Sequence, residues 1–109
     1  MALTTGENIA DIGGIAIAYD AFKMTKQGQD TTRIDGFTPD QRFFISLGQI
    51  WREKYKPEAQ RFYANIDPHS PGMFRVNGPL SSFTPFYTAF NVQPGDKMYL
   101  PADKRIKIW

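Results

Sequence analysis

Two carboxylates near the start of the chain have the spacing of a single helical face. Glu7 and Asp11 stand four residues apart. On an α-helix, residues i and i+4 point the same way and lie about 6 Å apart along the axis, so both carboxylates could address one cation. One interpretation is a metal site in which Glu7 is a ligand and Asp11 orients another ligand through a hydrogen bond.

The same stretch also fits an ordinary helix start. Thr4 and Glu7 match the S/T-x-x-E capping box, and Asp11 follows in the first turns, where the helix dipole favours negative charge. The spacing alone is compatible with a capping box and with a metal ligand, so both interpretations stay open here.

The only histidine of the chain stands in a loop with a restricted backbone. His69 lies between Pro68 and Pro71, and Arg75 comes six residues after it. An imidazole and a guanidinium at such a site could stabilise a developing oxyanion and bind a substrate carbonyl. The alternative is a loop histidine with no catalytic role.

The composition predicts a small, packed, single domain over residues 1–109. The chain is 41% hydrophobic and 15% aromatic, which is more than a disordered chain carries. Its 13 basic and 11 acidic residues are spread along the sequence, so nucleic acid is not an expected partner. The absence of cysteine excludes disulfides, thiolate zinc sites and cysteine nucleophiles.

The elements that must position these residues are helices, and the predicted fold class is mainly α. Thr38 should cap one helix with Pro39 in its first turn, and Thr84 should cap another. The first two helices should pack together to bury their apolar stripes. Irregular loops and a tail should make up the rest, including an extended or irregular segment at 73–78. We predict helices over about residues 5–26, 38–55, 58–65 and 84–91.

Two adjacent glycines interrupt the first predicted helix. Each glycine costs on the order of 1 kcal/mol relative to alanine in a helix interior. We therefore expect a neighbouring element to pack closely against the backbone at Gly13 and Gly14.

Four separate motifs occur in an order that resembles the carboxyl-terminal part of the neprilysin-like zinc metalloendopeptidases, including the bacterial endopeptidases of that family. Together they span residues 6–109. The motifs are Gly6–Gly14 (GENIADIGG), Gln41–Phe44 (QRFF) with Gln49–Arg52 (QIWR), Pro68–Gly72 (PHSPG) with Phe74–Gly78 (FRVNG), and Trp109.

The resemblance implies a role for each candidate residue, within a larger zincin catalytic domain that hydrolyses peptides. Glu7 falls on the third protein ligand of one zinc ion, and Asp11 falls on the carboxylate that holds a zinc-bound histidine. His69 falls on the histidine that stabilises the tetrahedral intermediate. Arg75 falls on the arginine that binds the substrate backbone.

The chain also departs from the family pattern. It lacks the H-E-x-x-H helix, which gives two zinc ligands and the general base, and the N-A-x-[YF] motif that binds the peptide backbone. A catalytic zinc needs about three protein ligands, and this chain has one histidine and no cysteine. The expectation is a fragment that is inactive alone, binds zinc weakly at most, and needs the upstream part of the same protease.

Two other classes of function remain open at the level of the sequence. One is a non-enzymatic helical binding or interaction module derived from this family, with Lys97, Lys104, Arg105 and Lys107 at the rim of its binding face. The other is a purely structural helical domain, in which changes at Glu7 and Asp11 would leave activity unaffected.

The surroundings of the chain can be predicted only in part. The first helix should expose the surface that would face the missing zinc helix, so self-association is expected. The sequence shows no signal peptide or apolar run of about 18 residues. The resemblance implies an extracytoplasmic parent protein, whether periplasmic, secreted or membrane-anchored.

Overall fold

The computed structural model describes residues 5–52, 57–58 and 72–107, without the side chains of residues 5–7 and 72–73. In these ranges the fold is helical, as predicted, and contains no β-strand beyond an isolated bridge between Ile34 and Phe37. The principal helices are α1 (Thr5–Lys23), α2 (Lys26–Gln29), α3 (Pro39–Ile50), α4 (Gly72–Leu80) and α5 (Thr84–Phe90), and a 3-10 turn follows at Ala102–Lys104.

The chain turns sharply where the first helix was expected to continue. α1 ends at Lys23, and Thr25 caps the short α2 by accepting a hydrogen bond from the backbone N–H of Gly28 at 3.0 Å. A Cβ atom at Gly28 would lie 2.0 Å from the carbonyl oxygen of Phe22. Only glycine can therefore bring α2 back against the end of α1, and the predicted helix over 5–26 was three residues too long.

The predicted start of the second helix is confirmed. Thr38 accepts a hydrogen bond from the Gln41 N–H at 3.2 Å, and the Gln41 side chain accepts one from the Thr38 N–H at 2.9 Å. This reciprocal capping box places Pro39 in the first turn. The helix ends at Ile50, with Trp51 as C-cap, so its predicted extension to residue 55 is wrong at the described residues 51 and 52.

Two predictions for the second half of the chain were wrong. The segment 73–78, expected to be extended or irregular, belongs to α4. Pro79 lies in the last turn of this helix, and because proline has no backbone N–H, the hydrogen bond to the carbonyl four residues before it is not formed. The N-cap of α5 is Phe83 rather than Thr84, and Asn91 ends that helix with a left-handed φ of 52°.

Some predictions fall on residues that the structure does not describe. The capping box of Thr4 and Glu7 is one of them, because Thr4 and the side chain of Glu7 lie outside the described part of the chain. Residues 57–58 are helical, but the remainder of the predicted helix over 58–65 is outside the described ranges too.

The core lies where α1, α3, α4 and α5 meet, and aromatic rings make up most of it. Tyr19 of α1 stacks on Phe44 of α3, with ring centroids 5.7 Å apart and planes 13° apart. Phe44 meets Phe86 of α5 edge to face at 5.5 Å. The contact between Tyr19 and Phe44 confirms the predicted packing of the first two predicted helices, which correspond to α1 and α3. The buried residues of this core are Ile15, Phe44, Leu80, Phe86 and Tyr87.

A polar network ties the end of α1 to the start of α3. The Tyr19 hydroxyl donates to Asp40 Oδ2 at 2.7 Å, and Lys23 Nζ donates to Asp40 Oδ1 at 2.9 Å. Burial and the Asp40 carboxylate both raise the pKa of Tyr19 above its ordinary value. The network therefore keeps the tyrosine protonated and fixes the angle between the helices that carry the site.

One face of α1 is apolar and exposed. Ile17 is 60% exposed and Ile9 is 44% exposed, and Ala10, Gly14 and Ala18 accompany them. A Cβ at Gly14 would meet no atom within 4 Å in the described part of the chain. The expected close neighbour at Gly14 is thus not supplied by these residues. No helix among them is long and apolar enough to cross a lipid bilayer.

Candidate active site

Two of the four residues predicted for the site form one ion pair. Arg75 donates from Nε to Oδ2 of Asp11 and from Nη2 to Oδ1 of Asp11, each at 2.8 Å. The Arg75 and Asp11 side chains are only 16% and 17% exposed. Paired N–H···O bonds of this kind fix the guanidinium plane as well as its position.

Helix packing places this pair. Asp11 precedes the buried Ile15 by one turn of α1, and Arg75 lies one turn before the buried Pro79 and next to the partly buried Val76 on α4. The apolar contacts between the two helices therefore shield a charged pair at their border. Arg75 and Asp11 are 64 residues apart in sequence, so only the fold brings them together.

Trp51 joins the pair from a third helix. The guanidinium carbon of Arg75 lies 3.8 Å from the centroid of the indole ring, well inside cation–π distance. Trp51 is the C-cap of α3, where the chain leaves the helix. In the sequence, Trp51 stood out only as part of the QIWR motif, and neither its spacing nor its type indicated a contact with Arg75.

Of the other two predicted residues, the structure describes the backbone of Glu7. The backbone of Glu7 belongs to α1, one turn before Asp11, so helical register sets the two residues on one face. Its side chain is not among those described, and His69 and Trp109 lie outside the described residues. The roles predicted for Glu7 and His69 remain predictions.

The described groups define what the pair can do chemically. The charges of Asp11 and Arg75 offset each other. Each oxygen of an ionised carboxylate has two lone-pair sites, so Asp11 can accept a further hydrogen bond while it holds Arg75. Within the ranges that the structure describes, no three or more histidine, aspartate or glutamate side chains are grouped closely enough to hold a metal ion.

A cleft of about 410 Å³ lies between α1, the start of α5 and the tail. Arg105 and Lys107, two of the basic residues predicted as a rim, line it. The Arg105 guanidinium lies 4.2 Å from the ring centroid of Tyr87, and its Nε donates to the Leu100 carbonyl at 2.7 Å. This cleft is separate from the Asp11–Arg75 pair.

The chain is similar in sequence to several peptidases over most of its length. It is 39% identical over 110 residues to Neprilysin-3 of Drosophila melanogaster, an alignment that covers 97% of this chain and 14% of that protein. It is 41% identical over 98 residues to endothelin-converting enzyme 1 of Bos taurus (87% and 13% covered). It is 38% identical over 104 residues to the neutral endopeptidase of Lactobacillus helveticus (95% and 14% covered).

The similarity extends to the three-dimensional structure. The zinc metalloprotease ZMP1 of Mycobacterium tuberculosis, solved in an open state, superposes with a TM-score of 0.92 at 41% identity, over 99% of this chain and 17% of that one. The inhibitor complex of ZMP1 gives the same TM-score. The chain thus corresponds to about one seventh of the length of the relatives it matches. Residues 1–106 match the sequence model of Peptidase family M13, and the chain belongs to that family.

Proposed function

We propose that this chain is the carboxyl-terminal part of a zinc-dependent endopeptidase, and that it contributes one zinc ligand and the groups that hold substrate and transition state. The observation that carries the proposal is the Asp11–Arg75 ion pair. It joins two of the residues assigned through the family resemblance, on a helix whose register sets Glu7 one turn away. We use "complete enzyme" for a full-length family protein in which this chain is the matching segment.

Glu7 is proposed as the third protein ligand of a single zinc ion. A carboxylate oxygen is a suitable zinc ligand, and the exposed apolar face of α1 leaves room for a further helix beside it. The remaining ligands belong to the part of the complete enzyme that this chain lacks. When bound, zinc lowers the pKa of a water molecule and polarises the substrate carbonyl.

Asp11 is proposed to orient a histidine of the missing part. A carboxylate that accepts the second ring N–H of such a histidine fixes its tautomer and its direction. The lone pairs that Arg75 leaves unused allow this bond, and the paired hydrogen bonds in a partly buried setting keep Asp11 in place. Asp11 would thus orient a zinc-binding histidine and hold the substrate-binding Arg75 at the same time.

Arg75 is proposed to bind a backbone carbonyl of the peptide substrate. A guanidinium presents its N–H donors in a rigid planar fork that suits an oxygen acceptor such as a backbone carbonyl, and two hydrogen bonds to Asp11 hold that of Arg75. Because Asp11 and Trp51 fix the guanidinium, little conformational entropy would be lost when it binds a carbonyl.

His69 is proposed to donate a hydrogen bond to the oxyanion of the tetrahedral intermediate. The prolines at positions 68 and 71 restrict the loop backbone around it. Groups held in advance at the developing negative charge stabilise the transition state more than the ground state. This role rests on the sequence motif.

The isolated chain should bind zinc weakly and should not hydrolyse peptides, because one carboxylate and one imidazole cannot complete a catalytic zinc site. Equilibrium dialysis with zinc and a fluorogenic peptide assay would measure both properties. Addition of the upstream part of the catalytic domain should restore tight zinc binding and activity. Tight zinc binding by the chain alone would contradict the proposal.

The exposed apolar face of α1 should be covered by the upstream part in the complete enzyme, and by a second copy when the chain is alone. Burial of Ile9 and Ile17 removes apolar surface from water, which favours association. Light scattering coupled to size-exclusion chromatography should show a mass that rises with protein concentration. Ile17→Lys should shift the equilibrium to the monomer. A wild-type chain that stays monomeric at all concentrations would contradict self-association through this face.

A non-enzymatic binding module is the second candidate, favoured by the cleft that Arg105 and Lys107 line. A chain of Peptidase family M13 could lose its catalytic role and retain a binding surface there. An H-E-x-x-H helix encoded upstream in the same reading frame would exclude this candidate.

For the complete enzyme we propose an extracytoplasmic location, on the family resemblance alone.

A further inference from the structure

We infer that Trp51 is a positioning residue for Arg75, an inference that rests on the proposed role of Arg75 in substrate binding. Three contacts carry it: two hydrogen bonds of 2.8 Å from Arg75 to Asp11 and the indole ring 3.8 Å from the guanidinium carbon. The three side chains come from α1, α3 and α4, so the guanidinium is held from two independent directions.

Asp11 and Trp51 restrain different motions of Arg75. The Asp11 carboxylate fixes the edge of the guanidinium that carries Nε and Nη2. Two bonds along one edge restrain the position of that edge more than the tilt of the plane about the line through them. The indole ring covers the face of the guanidinium and blocks that tilt. The edge that carries Nη1 therefore keeps one direction, which is the condition for reproducible binding of a substrate carbonyl.

The location of Trp51 makes it suited to this task. It caps α3, whose start is fixed by the capping box of Thr38 and Gln41 and by the bonds between Asp40 and α1. The ring is therefore attached to a helix that is itself anchored to α1, the helix of Asp11. Asp11 and Trp51 therefore lie on two helices that are bonded to each other, and Arg75 contacts both.

The first test uses the 109-residue chain and does not depend on catalysis. Nuclear magnetic resonance relaxation of the Arg75 Nε–H group measures how restricted that bond vector is. We expect Trp51→Leu to lower its order parameter clearly, and Trp51→Phe to retain most of it, because phenylalanine keeps a ring face with a weaker attraction for cations. Phe37→Leu, an exposed aromatic without a described ring contact, is the matched control.

The backbone amide spectrum of each variant shows whether the fold is intact. If Trp51→Leu and Trp51→Phe both leave the Arg75 order parameter at the wild-type value with the fold intact, Trp51 does not position Arg75. If Trp51→Leu unfolds the chain, the comparison of Trp51→Phe with wild type decides, and a partial fall in the order parameter is the expected result.

The second test uses the complete enzyme and separates this inference from the proposed function. Trp51→Leu should lower kcat/KM by about threefold to thirtyfold, the range expected for loss of one cation–π contact, and Trp51→Phe should recover most of it. KM should change more than kcat if Arg75 contributes equally to binding substrate and transition state. Loss of kcat/KM in Arg75→Met but not in Trp51→Leu would overturn the inference alone. An unchanged kcat/KM in Arg75→Met would overturn the proposed function, and the relaxation measurement would then still decide whether Trp51 positions Arg75.

Discussion

Glu7→Gln in the complete enzyme should remove zinc and peptide hydrolysis together. The substitution keeps the size of the side chain and replaces a charged zinc ligand with a neutral amide, which binds zinc poorly. Loss of an outer partner of a ligand already costs roughly 10- to 100-fold in metal affinity or activity, so loss of the ligand itself should exceed that range. Metal analysis after dialysis and a peptidase assay would measure the two effects.

Glu58→Gln is the matched control for this experiment. Glu58 is the other glutamate of the chain that the structure describes, and it is exposed. The Glu58→Gln enzyme should have the zinc content and the peptidase activity of the wild type. A Glu7→Gln enzyme with full zinc content and full activity would assign Glu7 to the capping box, which was the competing interpretation of the same spacing.

Arg75→Met should have the second largest effect, and it should appear even in the chain alone. Removal of one partner from a buried ion pair costs about 3–5 kcal/mol, because the other charge stays buried without compensation. The two side chains keep 16% and 17% exposure, so water can partly solvate Asp11, and we expect a loss of about 2–3 kcal/mol in the free energy of unfolding. Urea denaturation followed by circular dichroism would measure it.

A double-mutant cycle isolates the pair from other consequences of the substitution. Asp11→Asn, Arg75→Met and the double variant should show a coupling of more than about 1 kcal/mol, since the charges are in direct contact. Arg52→Met removes the same charge from an exposed position and should change the stability by less than about 0.5 kcal/mol. Additive effects of the two substitutions would show that the pair does not stabilise the fold.

The start of α3 was predicted correctly because a local side-chain hydrogen bond defines it. The start of α3 depends on Thr38, Pro39 and Gln41, three residues within four positions, and the sequence states that pattern directly. The end of α1 depends instead on the backbone of Phe22, which leaves no room for a side chain at Gly28. The spacing of apolar residues along a helix does not predict such a contact between backbone atoms.

The helix α4 was missed because its signals point against a helix. Gly78 and Pro79 have the lowest helix propensities of all residues, and both lie near its end. Tertiary contacts outweigh that propensity: Leu80 is buried in the core and Arg75 is bound to α1. In a helix of nine residues, these contacts decide the structure.

The sequence predicted which residues belong to the candidate site, but it did not predict which of them are in contact. Sequence motifs pointed to Asp11 and Arg75 separately, with different roles, and gave no reason to pair residues 64 positions apart. Trp51 belonged to the QIWR motif, but that motif gave it neither a role nor a contact with Arg75. The pairing follows from how α1, α3 and α4 pack, which depends on the aromatic contacts around Phe44.

Whether Glu7 binds zinc is tested most directly by the position of zinc in crystals of the complete enzyme, measured from anomalous scattering at the zinc absorption edge. The proposal predicts one zinc peak about 2.0–2.2 Å from a carboxylate oxygen of Glu7. It also predicts that Asp11 contacts a zinc-bound histidine while it holds Arg75. A zinc ion with a complete set of ligands elsewhere, and Glu7 away from the metal, would contradict the assignment of Glu7 as a zinc ligand.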